Sequence, residues 1–122
     1  MASETKGFVR GIIFSESATF ADVPWQPRAD VYRISRGWLV KFELAGVTPS
    51  DLEILARGRL VILRGNRRDF LVERRLHSLS MEIAYSRFER TIQFPESVEG
   101  AEIATEYKDG MFLVQLITGE SE

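Results

Sequence analysis

Between Trp38 and Leu44 the chain alternates strictly. Trp38, Val40, Phe42 and Leu44 hold one phase, and Leu39, Lys41 and Glu43 the other. Successive side chains of a strand point to opposite faces, so period two marks a strand with one face in a core. Nowhere does a 3.6-residue apolar stripe persist for ten residues, which leaves helix-built architectures without support. The same reading continues along the chain. Residues 30–34 form a short strand. Residues 52–56 form another, with a turn at Arg57, Gly58 and Arg59. Residues 60–63 are a compact β-branched and aliphatic run closed by Gly65 and Asn66. Residues 87–94 follow, stopped by Pro95, which cannot donate to a ladder. Residues 102–107 and 111–117 are joined around Lys108, Asp109 and Gly110, and Asp-Gly between alternating runs is a strong hairpin signal. Several short strands at this spacing predict an all-β sandwich.

The chain has 122 residues, the size of one domain, and 44% are hydrophobic, enough for a core. There is no cysteine, which removes disulfides, thiolate nucleophiles and cysteine-bound zinc. The formal net charge of -2 lacks the basic footprint of a nucleic-acid binder. Residues 8–14 are the longest apolar stretch near the start, but Arg10 and Gly11 interrupt them and they are too short to span a membrane. They also lack a basic leader and a cleavage site, so a cytoplasmic protein is expected. Residues 1–28 read as an apolar arm and linker, with Phe8, Ile12, Ile13, Phe14, Phe20 and Trp25 among small polar residues, broken by Pro24 and Pro27. The arm is either an edge strand or a segment that contacts other proteins. Residues 29–117 are the domain and 118–122 a short tail.

Catalytic chemistry finds little support. His77 is the only histidine, so no multi-histidine metal site can form. Ser78 and Ser80 lie near it, but no G-x-S-x-G elbow marks a nucleophile. A phosphate loop of Walker type is absent. No enzyme activity, cofactor or metal is expected. Charge is distributed unevenly instead. Arg64, Arg67, Arg68, Arg74 and Arg75 crowd the middle, whereas residues 96–122 hold seven carboxylates against Lys108. These segments are either two solvated faces or partners within a chain or between two copies. Residues 66–82 have no clean period and read as a long loop with a short strand at residues 70–72. Loops of that length in compact domains usually have a function. Arg90 is the oddest residue. It occupies the apolar phase of Phe88, Ile92 and Phe94, and an unpaired buried cation costs several kcal/mol. It either reaches water at an edge or makes an ionic contact across a subunit interface.

The motifs together resemble the small heat-shock protein family. Ala29-Asp30-Val31-Tyr32 leads into Leu44-Ala45-Gly46-Val47-Thr48-Pro49-Ser50-Asp51-Leu52, similar to the opening of that domain. Leu60 through Gly65 resembles its L-x-I-x-G strand, Phe88 through Pro95 its F-x-R-x-x-x-L-P strand, and Ile103 through Phe112 its closing signature. Thr105, Asp109, Met111 and Phe112 depart from the usual residues of that signature, and Ser86 stands where glycine is common. No isoleucine-x-isoleucine tail follows Ile117, so large cages are not expected.

The resemblance implies an immunoglobulin-like sandwich of two antiparallel sheets, the alpha-crystallin domain. It also implies an ATP-independent chaperone that holds partly unfolded proteins as a homodimer, or co-assembled with related subunits, without nucleic acid or membrane. A segment within residues 67–82 would leave its own body to pair with the partner's sheet, with Phe70, Leu71 and Val72 as the strand. Arg67, Arg68, Arg74, Arg75 and Arg90 would then line the dimer interface. Clients would meet Phe8, Ile12, Ile13, Phe14 and Phe20 of the arm, and a groove carrying Ile54, Ala56, Ile103 and Thr105. The alternative is a p23-like co-chaperone, a monomeric sandwich that docks on one protein partner; such domains generally lack the long loop.

Overall fold

A computed structural model describes residues 24–71 and 74–119. Among the described residues seven strands follow one another: β1 (Ala29–Ile34), β2 (Gly37–Glu43), β3 (Leu52–Arg57), β4 (Leu60–Arg67), β5 (Ser86–Gln93), β6 (Glu102–Lys108) and β7 (Met111–Ile117). They form two sheets, β1-β2-β7-β6 and β3-β4-β5, and every neighbouring pair is antiparallel. A 3-10 turn, Pro49–Asp51, precedes β3 where the chain changes sheet. This is the all-β sandwich that the alternation predicts.

Turn chemistry sets the hairpins. Lys108 pairs with Met111, so Asp109 and Gly110 make a two-residue loop, and both adopt positive φ, 53° and 82°. That geometry matches the right-handed twist of the strands and is tolerated by few residues other than glycine, asparagine and aspartate. The connection from β5 to β6 is tied to the β3–β4 turn. Phe94 N donates to Arg59 O at 2.8 Å, Val98 N donates to Gly58 O at 2.7 Å, and the Glu99 carboxylate accepts from Gly58 N at 2.6 Å.

The core lies between the inward phases of the two sheets. Val40, Phe42, Val114 and Leu116 from one sheet meet Val61, Leu63 and Phe88 from the other, all at most 1% exposed. Trp38 packs tilted against Phe94, with ring centroids 5.1 Å apart and the ring planes at 58°.

Two expectations change. The first concerns β4, which does not close at Gly65 and Asn66 but runs on to Arg67. A Cβ on Gly65 would collide with the Phe88 ring at Cζ and fall 2.9 Å from Asp51 O. Glycine sits there because a ring crosses its strand, not because the strand stops. The second concerns residues 70–72. Phe70 and Leu71 lie in a turn, with Leu71 N bonded to the Asp69 carboxylate at 3.0 Å, and Val72 lies outside the described residues. The local aspartate bond favours a turn over an extended ladder at this point. Among the described residues, 68–85 contain no strand.

Candidate functional site

β1 and β6 end one sheet; β3 and β5 end the other. Ahead of β1, Trp25 forms a parallel bridge with Phe88, and Pro27 O accepts from Arg90 Nη1 at 2.9 Å. These contacts place β1 beside β5 and leave β3 and β6 together on the opposite side.

On that opposite side lie Ile54, Ala56, Ile103 and Thr105. Ile54 and Ala56 pair with the buried Leu63 and Val61, and Ile103 and Thr105 with the buried Leu116 and Val114. Side chains opposite one another in a ladder share a face, so all four belong to the inward faces. Ile54 and Ala56 pack partly against the core. Ile103 remains 37% exposed and Thr105 is also exposed. The core is therefore incompletely covered along the β3–β6 side.

β1 repeats the pattern. Val31 stands opposite the fully buried Val40 and so has the inward phase, yet it is 43% exposed, with Tyr32 beside it at 44%. An edge strand with an uncovered apolar residue on its inner face is a template for another strand.

The excursion between β4 and β5 supplies apolar groups in excess. Phe70 is 86% exposed, Leu76 62%, Leu79 100%, Met81 62% and Ile83 64%. Leu79, Met81 and Ile83 alternate with Ser80, Glu82 and Ala84. Sequence reading missed this six-residue alternation, because irregular, arginine-rich residues precede it.

The arginines separate into two groups. Arg64 faces Glu89 across β4 and β5 at 3.5 Å. Arg68 grips the Asp51 carboxylate with two bonds, 2.9 and 3.0 Å. Those bonds hold the Asp51 carboxyl below its ordinary range and raise Arg68 in return. Arg67 closes the base of the excursion. Its Nε and Nη2 donate to Ala84 O at 3.0 and 2.8 Å, and Nη1 donates to Ala45 O at 3.1 Å. Its guanidinium stacks over Trp25 at 4.4 Å, and partial burial lowers its pKa. Arg67 and Arg68, which the resemblance puts at a dimer interface, each bind groups of their own chain within the single subunit. Among the described residues, the acidic 96–122 segment supplies neither of these hydrogen-bond partners, and its Glu96 pairs with Arg33 at 2.7 Å. Arg74 and Arg75 lie exposed in the excursion. Arg90 has the predicted inward phase, half-buried between Phe88 and Ile92. Phe8, Ile12, Ile13, Phe14 and Phe20 lie outside the described residues. The docking of Trp25 on β5 was not foreseen, because the flanking prolines read as a break.

His77 is exposed. Among the described residues, no cluster of three or more histidine, cysteine or acidic side chains is placed to hold a metal ion, and no helix is long and apolar enough to cross a membrane.

Comparisons with known proteins agree with this geometry. Small heat shock protein C2 of Rickettsia felis is 21% identical over 90 residues, 74% of this chain and 58% of that protein. Spore protein SP21 of Stigmatella aurantiaca is 26% identical over 90 residues, 74% of this chain and 53% of that protein. The chain thus spans between half and three-fifths of the length of these curated relatives. Among solved structures, heat shock protein 16.0 from Schizosaccharomyces pombe has the same fold. Its TM-score is 0.71 at 20% identity, covering 82% of this chain and 71% of that one. HSP18.5 from E. histolytica is 25% identical with a TM-score of 0.64, covering 80% and 92%. The sequence profile described as Hsp20/alpha crystallin family matches residues 30–122, more than half of the sequence, and the chain belongs to that family.

Proposed function

We propose that this chain is an ATP-independent holdase, working in the cytoplasm as a strand-exchanged homodimer that binds partly unfolded proteins and limits their aggregation. Family membership supports a chaperone role in general. The observation that carries the finer reading is the run Leu79, Met81 and Ile83. It has strand period and 62–100% exposure, and lies in an excursion that contains no strand among the described residues. This run replaces residues 70–72 as the exchanging strand. Its acceptor is the open edge of β1, where Val31 awaits cover. Phe70, Leu71 and the exposed Arg74 and Arg75 then flank the contact, and Arg90 lies behind it.

Client binding needs only apolar surface that an isolated folded domain normally hides. Unfolding proteins offer apolar segments and unpaired strand edges. Each buried apolar side chain contributes about 1.5–3 kcal/mol. A few together, after ordering costs, give roughly micromolar affinity, about 8 kcal/mol. Binding of that strength reverses without nucleotide. The β3–β6 side, with Ile54, Ala56, Ile103 and Thr105, and the arm residues Phe8, Ile12, Ile13, Phe14 and Phe20 are the proposed contact points.

The test is suppression of light scattering by a heated model protein without ATP, together with light scattering on the pure chain. Suppression at equimolar dose by a dimeric species is expected. No suppression removes the holdase reading, and a monodisperse monomer removes strand exchange.

A further inference from the structure

We propose that Arg67 is a latch joining residues 24–27 to the base of the excursion, so that peeling those residues from β5 and loosening the loop base are one coupled event. This goes beyond the holdase reading and does not depend on it.

The outer edge of β5 is not bare. Trp25 N donates to Arg87 O at 3.2 Å, and Glu89 N donates to Trp25 O at 2.9 Å. Trp25 Nε1 donates to Ser86 O at 3.2 Å, and its ring lies against Phe88 with centroids 5.1 Å apart. The chain has thus laid a one-residue parallel bridge of its own on an edge that would otherwise invite pairing.

Arg67 stands where this cover meets the loop. One guanidinium serves three segments. Its face lies 4.4 Å over Trp25, and 5.7 Å from the Tyr85 ring at the loop exit. Its fork binds Ala84 O twice and Ala45 O once. A planar fork that stacks and donates together cannot be replaced by an ammonium point charge. Losing the Trp25 ring uncovers a cation that also fixes Ala84, and losing the Ala84 bonds frees the cation from the ring. Two sites that share one group in this way are coupled, and the coupling is reciprocal. In the latched state the Arg87 carbonyl and Glu89 amide are occupied from within. In the unlatched state they form a further open edge, distinct from β1 and from the β3–β6 side.

Amide hydrogen exchange on the full chain tests this. The Glu89 amide reports the cover, because its bond goes to Trp25 O. Ser86, which pairs with Arg67 at the end of the β4–β5 ladder, reports the loop base. Arg67→Gln is expected to speed exchange about tenfold at both Glu89 and Ser86, within the usual range of coupling. Arg67→Lys should do the same, lacking the fork. Added to Trp25→Ala, Arg67→Gln should give no further acceleration at Glu89. Wild-type exchange at Glu89 in Arg67→Gln overturns the latch, as does wild-type behaviour of Arg67→Lys. Uniform acceleration that includes Phe42 and Phe112 of the β2–β7 ladder also overturns it, since Arg67 is then a general stabiliser.

Discussion

The strand β5 and the excursion just before it are both rich in apolar residues, and they treat water in opposite ways. In and just after β5, Phe88, Ile92 and Phe94 are 1%, 8% and 2% exposed. In the excursion, Leu79, Met81 and Ile83 have the same period and are 62–100% exposed. The difference is not hydrophobicity but available partners. β5 hydrogen-bonds to β4, and its inward phase faces β2 and β7. The excursion has an alternating face and, among the described residues, no ladder. A strand pattern becomes a strand only when an edge receives it, and the open edge of β1 lies outside the excursion's own contacts. The chain therefore holds a completed sheet and, beyond the Arg67 clamp, an alternating apolar run that stays exposed.

Substitutions in the two regions should fail differently. Phe88→Ala opens a cavity above Gly65 and should cost about 3–5 kcal/mol of folding stability, measured by urea denaturation. A cost below about 1 kcal/mol would mean that the site collapses and that Gly65 is not held by the ring. Changing Leu79, Met81 and Ile83 together to serine should leave monomer stability within about 0.5 kcal/mol, as for exposed positions. Dimer association should weaken by more than about a hundredfold, since each side chain contributes about 1.5–3 kcal/mol once covered. An unchanged dissociation constant would place the exchange segment elsewhere and erase the contrast.

Smaller effects sharpen the boundary between the regions. Asp51 is held below its ordinary value of 3.8 by Arg68. A lowered folded pKa means that the contact stabilises fully above the unfolded value and is lost as pH falls through the folded one. The melting-temperature gap between wild type and Asp51→Asn should therefore persist at neutral pH and close as the pH drops well below 3.8. A gap that survives acid would assign the effect to packing. The smallest change concerns Ser86, which opens β5 with a φ of 73°. Left-handed backbone costs a serine roughly 1–2 kcal/mol, partly offset by the extra chain entropy of glycine. Ser86→Gly should raise stability by about 0.5 kcal/mol in denaturant midpoint. A lower midpoint would show that the serine side chain makes up for its backbone.

The strands were legible because their signals are local. Alternation at Trp38 to Leu44, the Asp109-Gly110 turn and Pro95 act within a few residues and survive without knowledge of the rest. The candidate site was partly legible. Ile54, Ala56, Ile103 and Thr105 came from the family resemblance, and only pairing with buried neighbours put them on the inward face. Leu79, Met81 and Ile83 were within reach of the same alternation rule but too short a run to stand out. The carbonyl partners of Arg67 were not legible, because a charge cluster carries no direction in a sequence.

The amino-acid order alone determined the all-β class, the main strands and the two-residue hairpin at Asp109 and Gly110, because backbone sterics and side-chain period act between near neighbours. Tertiary structure alone decided three things. Gly65 lies inside a strand, because the Phe88 ring needs the space. Arg67 binds carbonyls of Ala45 and Ala84 rather than the acidic end, because the fold brings those oxygens within 3.1 Å. Residues 24–27 cover β5 despite their prolines, because Trp25 finds a ring, a cation and an open edge in one place.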